Sequence, residues 1–345
     1  MDIFDTAVLN RVVQDITVPS SFLLDTFFPE IQTEESAEIH FDIDGTKPRI
    51  APFVSPLVAG KVQTEDGVTT KFFRPAYIKD KRRFDPDRPL RRSIGESIGG
   101  NLTGMQRMQA ALMYSMEDQM KRLTRTQEIM ASQALITGTV TVTGDQYPTK
   151  VVDYGRAAGL TITKGATVEW GDSGVVPVDD LETWHGLIQT ESGANATTVV
   201  MDPLAWRLFR ADQATKDLLE TRRGSVSSAE TGPIARGQGN AKGRYVGSIG
   251  SFDIWVYQET YTDAAGNTQQ IMPDYSVIMG DPATVEGVRA YGMIQDEEAN
   301  FQALQYFSKS WLEKDPAIRY LLMQCAPLIV PYRPNATAYI KVKTV

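Results

Sequence analysis

Apolar positions recur most regularly between residues 103 and 137, TGMQRMQAALMYSMEDQMKRLTRTQEIMASQALIT. There Met105, Met108, Leu112, Met116, Leu123, Met130 and Ala134 fall at helical spacing. The stretch has no proline, and Gly104 is its only glycine. Thr103 with Gln106 forms a capping-box signature, and Gly138 stands where a left-handed C-terminal residue is expected. Glu117 with Lys121 and Asp118 with Arg122 add pairs four residues apart on the wet side. At ~1.5 Å per residue the predicted helix is about 50 Å long. So narrow a stripe on so long a helix implies a strut laid along a sheet or a neighbour, with the methionines as packing surface.

Elsewhere the periods are shorter. A short helix is predicted from Thr6 to Val13, followed by the apolar knot Phe22-Leu23-Leu24-Asp25-Thr26-Phe27-Phe28 between Pro19 and Pro29. With no sustained period over residues 1–45, this segment reads as an extended arm that folds back on its own domain or reaches another chain. Val140, Val142, Val151, Val152, Leu160 and Ile162 give residues 139–178 a strand-like pattern. Asp179 or Asp180 would cap a short helix burying Leu181, Trp184, Leu187 and Ile188. A buried-type strand from Thr197 to Met201 leads into Asp202 as N-cap, Pro203 at the first helical position and a helix to about Glu220. Further strands are expected at Phe252–Tyr257, Ile271–Met272, Val277–Met279 and Val288–Ile294, then two more broken at Pro331 to Pro334. Residues 224–250, with seven glycines, read as a long loop, and loops of that length usually carry a function. The whole is an α+β pattern.

Residues 50–75, IAPFVSPLVAGKVQTEDGVTTKFFRP, fit this scheme least well. They are rich in strand formers and turn at Asp66-Gly67, yet Pro52, Pro56 and Pro75 remove ladder donors and neither half alternates cleanly. A hairpin without a core face is stable only where another surface completes it.

Charge sharpens this picture. The net charge of −8 argues against a general nucleic-acid-binding surface. Residues 1–45 carry ten acids and one base, whereas residues 46–100 carry twelve bases and six acids. Such an arrangement gives either two solvated faces or two surfaces that meet partners of opposite charge. No apolar run is long enough to span a bilayer, and the N-terminus lacks the pattern of a secretory signal. The single cysteine, Cys325, lies in an apolar run and reads as a core residue. With only His40 and His185, a Cys/His zinc site is nearly excluded by supply, and His185 reads as a structural, partly exposed residue. Asp42-Ile43-Asp44-Gly45 departs from a calcium loop, and GQGNAKG (237–243) is neither a dinucleotide nor a Walker loop. No catalytic constellation, metal site or cofactor site emerges.

In order, acidic arm, hairpin, strut helix, α/β lobe with a glycine-rich loop and C-terminal strands resemble a tailed-phage major capsid protein of the lambda type. VSPLVAGKV (54–62), MDPLAWRLFR (201–210), LETRRGS (219–225), YGMIQDEEA (291–299) and DPAIRYLLMQCAPL (315–328) carry the resemblance, together with YRPNATAYIKV (332–342). It implies the HK-97-type fold: an N-arm (1–45), an E-loop (46–95), a P-domain (96–194 and 300–345) and an A-domain (195–299). It also implies pentamers and hexamers closing into an icosahedral head, assembled in the host bacterial cytoplasm with scaffolding protein and portal. The head would enclose double-stranded DNA without sequence-specific binding, and a small decoration protein is expected at threefold sites. No membrane partner is implied.

On this reading the inter-subunit residues of the E-loop are Val54, Ser55, Pro56, Leu57, Val58, Gly60, Lys61, Asp66, Gly67, Phe72 and Phe73. From the charge count, Glu30, Glu34, Glu35 and Glu38 are expected to attract Lys81, Arg82, Arg83, Arg88, Arg91 and Arg92 across subunit contacts. Arg222, Arg223, Gly224, Arg236, Lys242 and Arg244 are candidates for an axial loop of the A-domain. A bacterial nanocompartment shell of the same fold, and a soluble α/β hydrolase or binding protein, are the competing readings.

Overall fold

The computed structural model describes residues 4–16, 19, 21–36, 38–44, 69–85, 102–144, 147–216, 243–263, 265–315 and 318–344. Its axis is one helix, α3 (Gly104–Thr137), of 34 residues. Thr103 and Gln106 close the capping box: the Gln106 N–H donates to Thr103 Oγ1 (3.3 Å), and the Thr103 N–H donates to Gln106 Oε1 (2.8 Å). At the other end Gly138 turns left-handed, at φ 69°, and donates to the Ala134 carbonyl. The Arg156 guanidinium then takes the free carbonyls of Leu135 and Ile136, each at 2.5 Å. A long helix leaves unpaired groups at both ends, and here side chains or a glycine turn satisfy several of them.

The two halves of α3 serve different cores. In the first half Leu112, Met116, Met120 and Leu123 pack with Leu9 and Val13 of α1 (Thr6–Asp15). They also meet a three-stranded antiparallel sheet, ordered β15 (Phe307–Glu313), β16 (Ile318–Cys325), β4 (Ile78–Phe84). Leu321, Met323 and the free thiol Cys325 come from its middle strand, and burial pushes that thiol up to about 12. Met105, at the head of the predicted stripe, stays exposed.

The second half, through Met130, Ala131, Ala134 and Leu135, joins the main core. That core surrounds a six-stranded mixed sheet in the order β7 (Thr161–Thr163), β18 (Thr337–Lys341), β13 (Ser276–Gly280), β8 (Thr198–Met201), β10 (Phe252–Val256), β9 (Arg244–Ile249). Helices α3 and α4 (Pro177–Ser192) both lie against β18, and α5 (Pro203–Ala211) lies against β8. All five residues of β13 are buried, as expected for a strand covered on both sides. A second three-stranded sheet runs β1 (Glu30–Thr33), β14 (Gly287–Tyr291), β17 (Pro327–Pro331). The short helix α6 (Pro282–Val285) leads into β14. Three two-stranded ribbons complete the described fold: β2 (Ile39–Ile43) with β3 (Thr69–Phe73), β5 (Thr139–Gly144) with β6 (Tyr147–Asp153), and β11 (Thr260–Thr262) with β12 (Thr268–Gln270).

Several elements differ from the sequence-based expectation. The apolar knot of the arm is a helix, α2 (Phe22–Phe27), folded back into the main core. Helix α4 begins at Pro177 without a side-chain cap, so Asp179 and Asp180 lie in its first turn. Helix α5 ends at Ala211, where Asp212 is extended; a helical turn resumes at 213–216 with the Asp212 carboxylate accepting from the Thr215 N–H at 2.9 Å, and residues 217–220 lie outside the described residues. Ile271 and Met272 are buried without being in a strand. The C-terminal segment makes three strands, with an extra break at Ala326. Strand pairing also crosses the domain division expected at 195 and 300: β18 and β7 share one sheet with β8, β10 and β13.

Candidate inter-subunit surfaces

The acidic arm is anchored from within its own chain. Ser21 at the N-cap of α2 makes no side-chain capping bond. Glu128 of α3 takes that role from 105 residues away: its carboxylate accepts from the Leu23 and Leu24 N–H groups at 2.9 Å each. The Tyr257 hydroxyl donates to the same carboxylate at 2.8 Å. Burial raises the Glu128 carboxyl above its ordinary value, against the pull of these three donors, and nearby Glu259 adds to the rise. At the far end of α2, Arg289 donates to the Phe28 carbonyl (2.7 Å) and to Asp25 (2.6 Å). The neighbouring strand closes on it, since a Cβ at Gly287 would lie 2.0 Å from the Phe27 carbonyl oxygen. Residues 21–33 are therefore part of the body. Polar and buried, Glu128 stood outside the apolar stripe and no local pattern marks it.

Beyond that anchor, acids line an exposed ribbon. Glu30 opens β1, a fully exposed edge strand paired in parallel with β14. Glu34 accepts from the His40 N–H (2.8 Å) and meets His40 Nδ1 at 2.7 Å, while Glu35 is exposed and Glu38 half-buried. Residues 69–75 are the described part of the 50–75 segment, and β3 within them pairs antiparallel with β2 upstream. Of the predicted loop contacts, Phe72 is 68% exposed, whereas Phe73 packs against the main core. Val54, Ser55, Pro56, Leu57, Val58, Gly60, Lys61, Asp66 and Gly67 lie outside the described residues.

The basic segment divides by strand parity. Arg82 on β4 turns toward α3 and is engaged by Asp118 and Asp80, a pairing that holds the Asp118 carboxyl below its usual range. Arg82 is thus an internal ion-pair partner and not the free cation expected for a subunit contact. Lys81 turns outward, with its ammonium 4.1 Å from the Tyr320 ring centre and 5.1 Å from that of Trp311. Arg83 is exposed beside Asp85 at 2.6 Å. Arg88, Arg91 and Arg92 lie outside the described residues, as do Arg222, Arg223, Gly224, Arg236 and Lys242, expected in an axial loop; Arg244 opens β9 and is exposed. His185 pairs with Asn195 Oδ1 at 2.8 Å and meets the Phe252 ring edge-on, a structural role. Among the described residues no helix is long and apolar enough to cross a membrane.

The long helix α3 thus runs between a three-stranded sheet and a mixed lobe. The crystal structure of a prophage protein of Escherichia coli CFT073, described as its capsid protein, superposes with a TM-score of 0.76 at 20% identity, over 98% of this chain and 99% of that one. This fold is α+β of the HK-97 type. In sequence, the family model for phage major capsid protein E matches residues 5–342. The major capsid protein of Escherichia phage lambda is 31% identical over 293 residues, 83% of each chain, and that of Escherichia phage N15 is 28% identical over 348 residues, 99% of each. The chain belongs to the phage major capsid protein E family. It is a structural protein of the virion, not an enzyme, and the nanocompartment and hydrolase readings are not favoured.

Proposed function

We propose that this chain builds the head shell of a tailed phage or prophage as pentamers and hexamers. The observation that carries the reading is the family match across residues 5–342, nearly the whole chain. Physically, identical subunits that bury modest contacts on many sides close into a shell without any single strong interface. The ribbon β2–β3 frames the segment expected to reach a neighbour, and its exposed Phe72 suits that role. A net charge of −8 suits a container that encloses double-stranded DNA without holding it tightly. Scaffolding protein, portal and a small decoration protein at threefold sites are the further partners of this proposal, as are axial contacts made within residues 222–244.

Electron microscopy of the overexpressed protein tests the reading. Hollow particles or ring-shaped capsomers are expected. A small monodisperse particle at every concentration tried, with scaffolding protein supplied, would contradict it.

A further inference from the structure

Two strand faces of this chain carry opposite charge: cations at every second position on one, and on the other two carboxylates four residues apart with a histidine between them. On β4 the exposed positions are Lys79, Lys81 and Arg83, every second residue, so the side chains rise from one face about 7 Å apart. Pairing with β16 sets Tyr320 beside Arg83, and pairing of β16 with β15 sets Trp311 beside Tyr320. The result is a basic face with a half-exposed aromatic floor.

On β2 the alternation is equally strict. Ile39, Phe41 and Ile43 are buried, while His40 and Asp42 are exposed and Glu38 precedes them at the same two-residue step. The register with β3 places Phe72 opposite His40, and Thr70 opposite Asp42 with its hydroxyl donating to that carboxylate at 2.5 Å. A bare phenylalanine thus stands in the middle of an acidic face, the arrangement of an aromatic anchor within a polar rim.

We propose that the acidic face of the β2–β3 ribbon of one copy docks on the basic face of the β4–β16–β15 sheet of another. Phe72 lies against Trp311 and Tyr320, and the Glu38–Asp42 row lies along the Lys79–Lys81–Arg83 row. This rests on the shell reading and gives it a specific contact. Both faces are exposed in the same chain, so neither covers the other within one copy. Two different patches that fit each other make a head-to-tail contact, and such contacts close into rings when the rotation allows. A second copy is favoured over nucleic acid because a carboxylate already stands among the outward cations, Asp85 beside Arg83 at 2.6 Å. That leaves a patterned face and not a strongly positive one.

The test is a charge swap. K79E/K81E/R83E and E38K/D42K are each expected to raise the protein concentration needed for particles at least ten-fold at low salt. The combined variant is expected to recover most of that loss, with thermal unfolding of all three close to the parental protein. Particle formation indifferent to either reversal overturns the docking, as does a combined variant that folds and fails to recover. If assembly is unchanged and only retention of added double-stranded DNA falls, the face is a nucleic-acid surface and the docking is again overturned. Should a reversal variant not fold, T70C/K79C treated with a short bismaleimide decides: a ladder of intermolecular products is expected in particles, and single-copy products alone overturn the proposal. Absence of particles from the parental protein would instead overturn the shell reading itself, and the docking with it.

Discussion

Glu128 shows how one buried carboxylate can join parts of a chain that are distant in sequence. Its two oxygens face the N-terminus of α2, where exposed N–H groups favour an acceptor, and the Tyr257 hydroxyl closes the third side. In E128Q the amide must turn its NH2 toward a backbone N–H or toward Tyr257. About 1–3 kcal/mol of stability should be lost, measured by denaturant unfolding at neutral pH. The pH dependence has a definite sign. Burial raises this carboxyl above its ordinary 4.5, so the folded chain holds the proton more tightly than the unfolded one. Its contribution is fully present below 4.5 and is lost as pH rises through the raised folded value. That falling component should be absent from the profile of E128Q. Gly287 makes a steric counterpart: G287A puts a methyl within 2.0 Å of the Phe27 carbonyl oxygen. Overpacking of this kind costs about 1–3 kcal/mol. Hydrogen exchange should speed up at residues 22–28 first.

At the scale of elements, legibility followed locality. Helix α3 was readable because its caps and stripe all lie within its own residues, and its bounds agree with the capping box and Gly138. Arg156 was not readable, since nothing in the sequence near 156 says that its guanidinium reaches back to Leu135 and Ile136. Burial lowers that guanidinium to about 10, and a partner kept at such a cost is doing structural work. R156M should leave two helix-end carbonyls unpaired and lower stability by about 1–3 kcal/mol, with the first loss of helical signal at the C-terminal turns of α3. The helical form of the arm's apolar knot escaped notice for the same reason. Six residues carry too few hydrogen bonds to announce a helix, and α2 exists because Glu128, Arg289 and the main core hold it. In β4 the alternation of inward and outward side chains was the missing information. A count of charges placed Arg82 with Lys81 and Arg83, whereas the strand sends it to the opposite face, onto Asp118.

For the whole molecule, the uneven charge along the chain resolves into two kinds of group. Some charges, such as Arg82 with Asp118 and Arg289 with Asp25, stitch one copy together. Others are exposed: Asp42 on one ribbon, beside the half-buried Glu38, and Lys79 and Lys81 on one sheet. The fold class, the strut and the family were legible in the sequence; which charges face outward became clear only with the strand registers. Assembly driven through exposed charges should weaken as salt rises, with turbidity or sedimentation showing fewer particles at several hundred millimolar salt than at tens of millimolar.

The claim on which all of this rests is that the outward faces of β2–β3 and of β4–β16–β15 are completed by other copies. Hydrogen exchange compared between assembled particles and dispersed subunits measures that directly. Residues 38–44, 69–73 and 78–84 should become markedly more protected on assembly, while the already buried strand β13 changes little. Equal protection of those three segments in the two states would contradict the account.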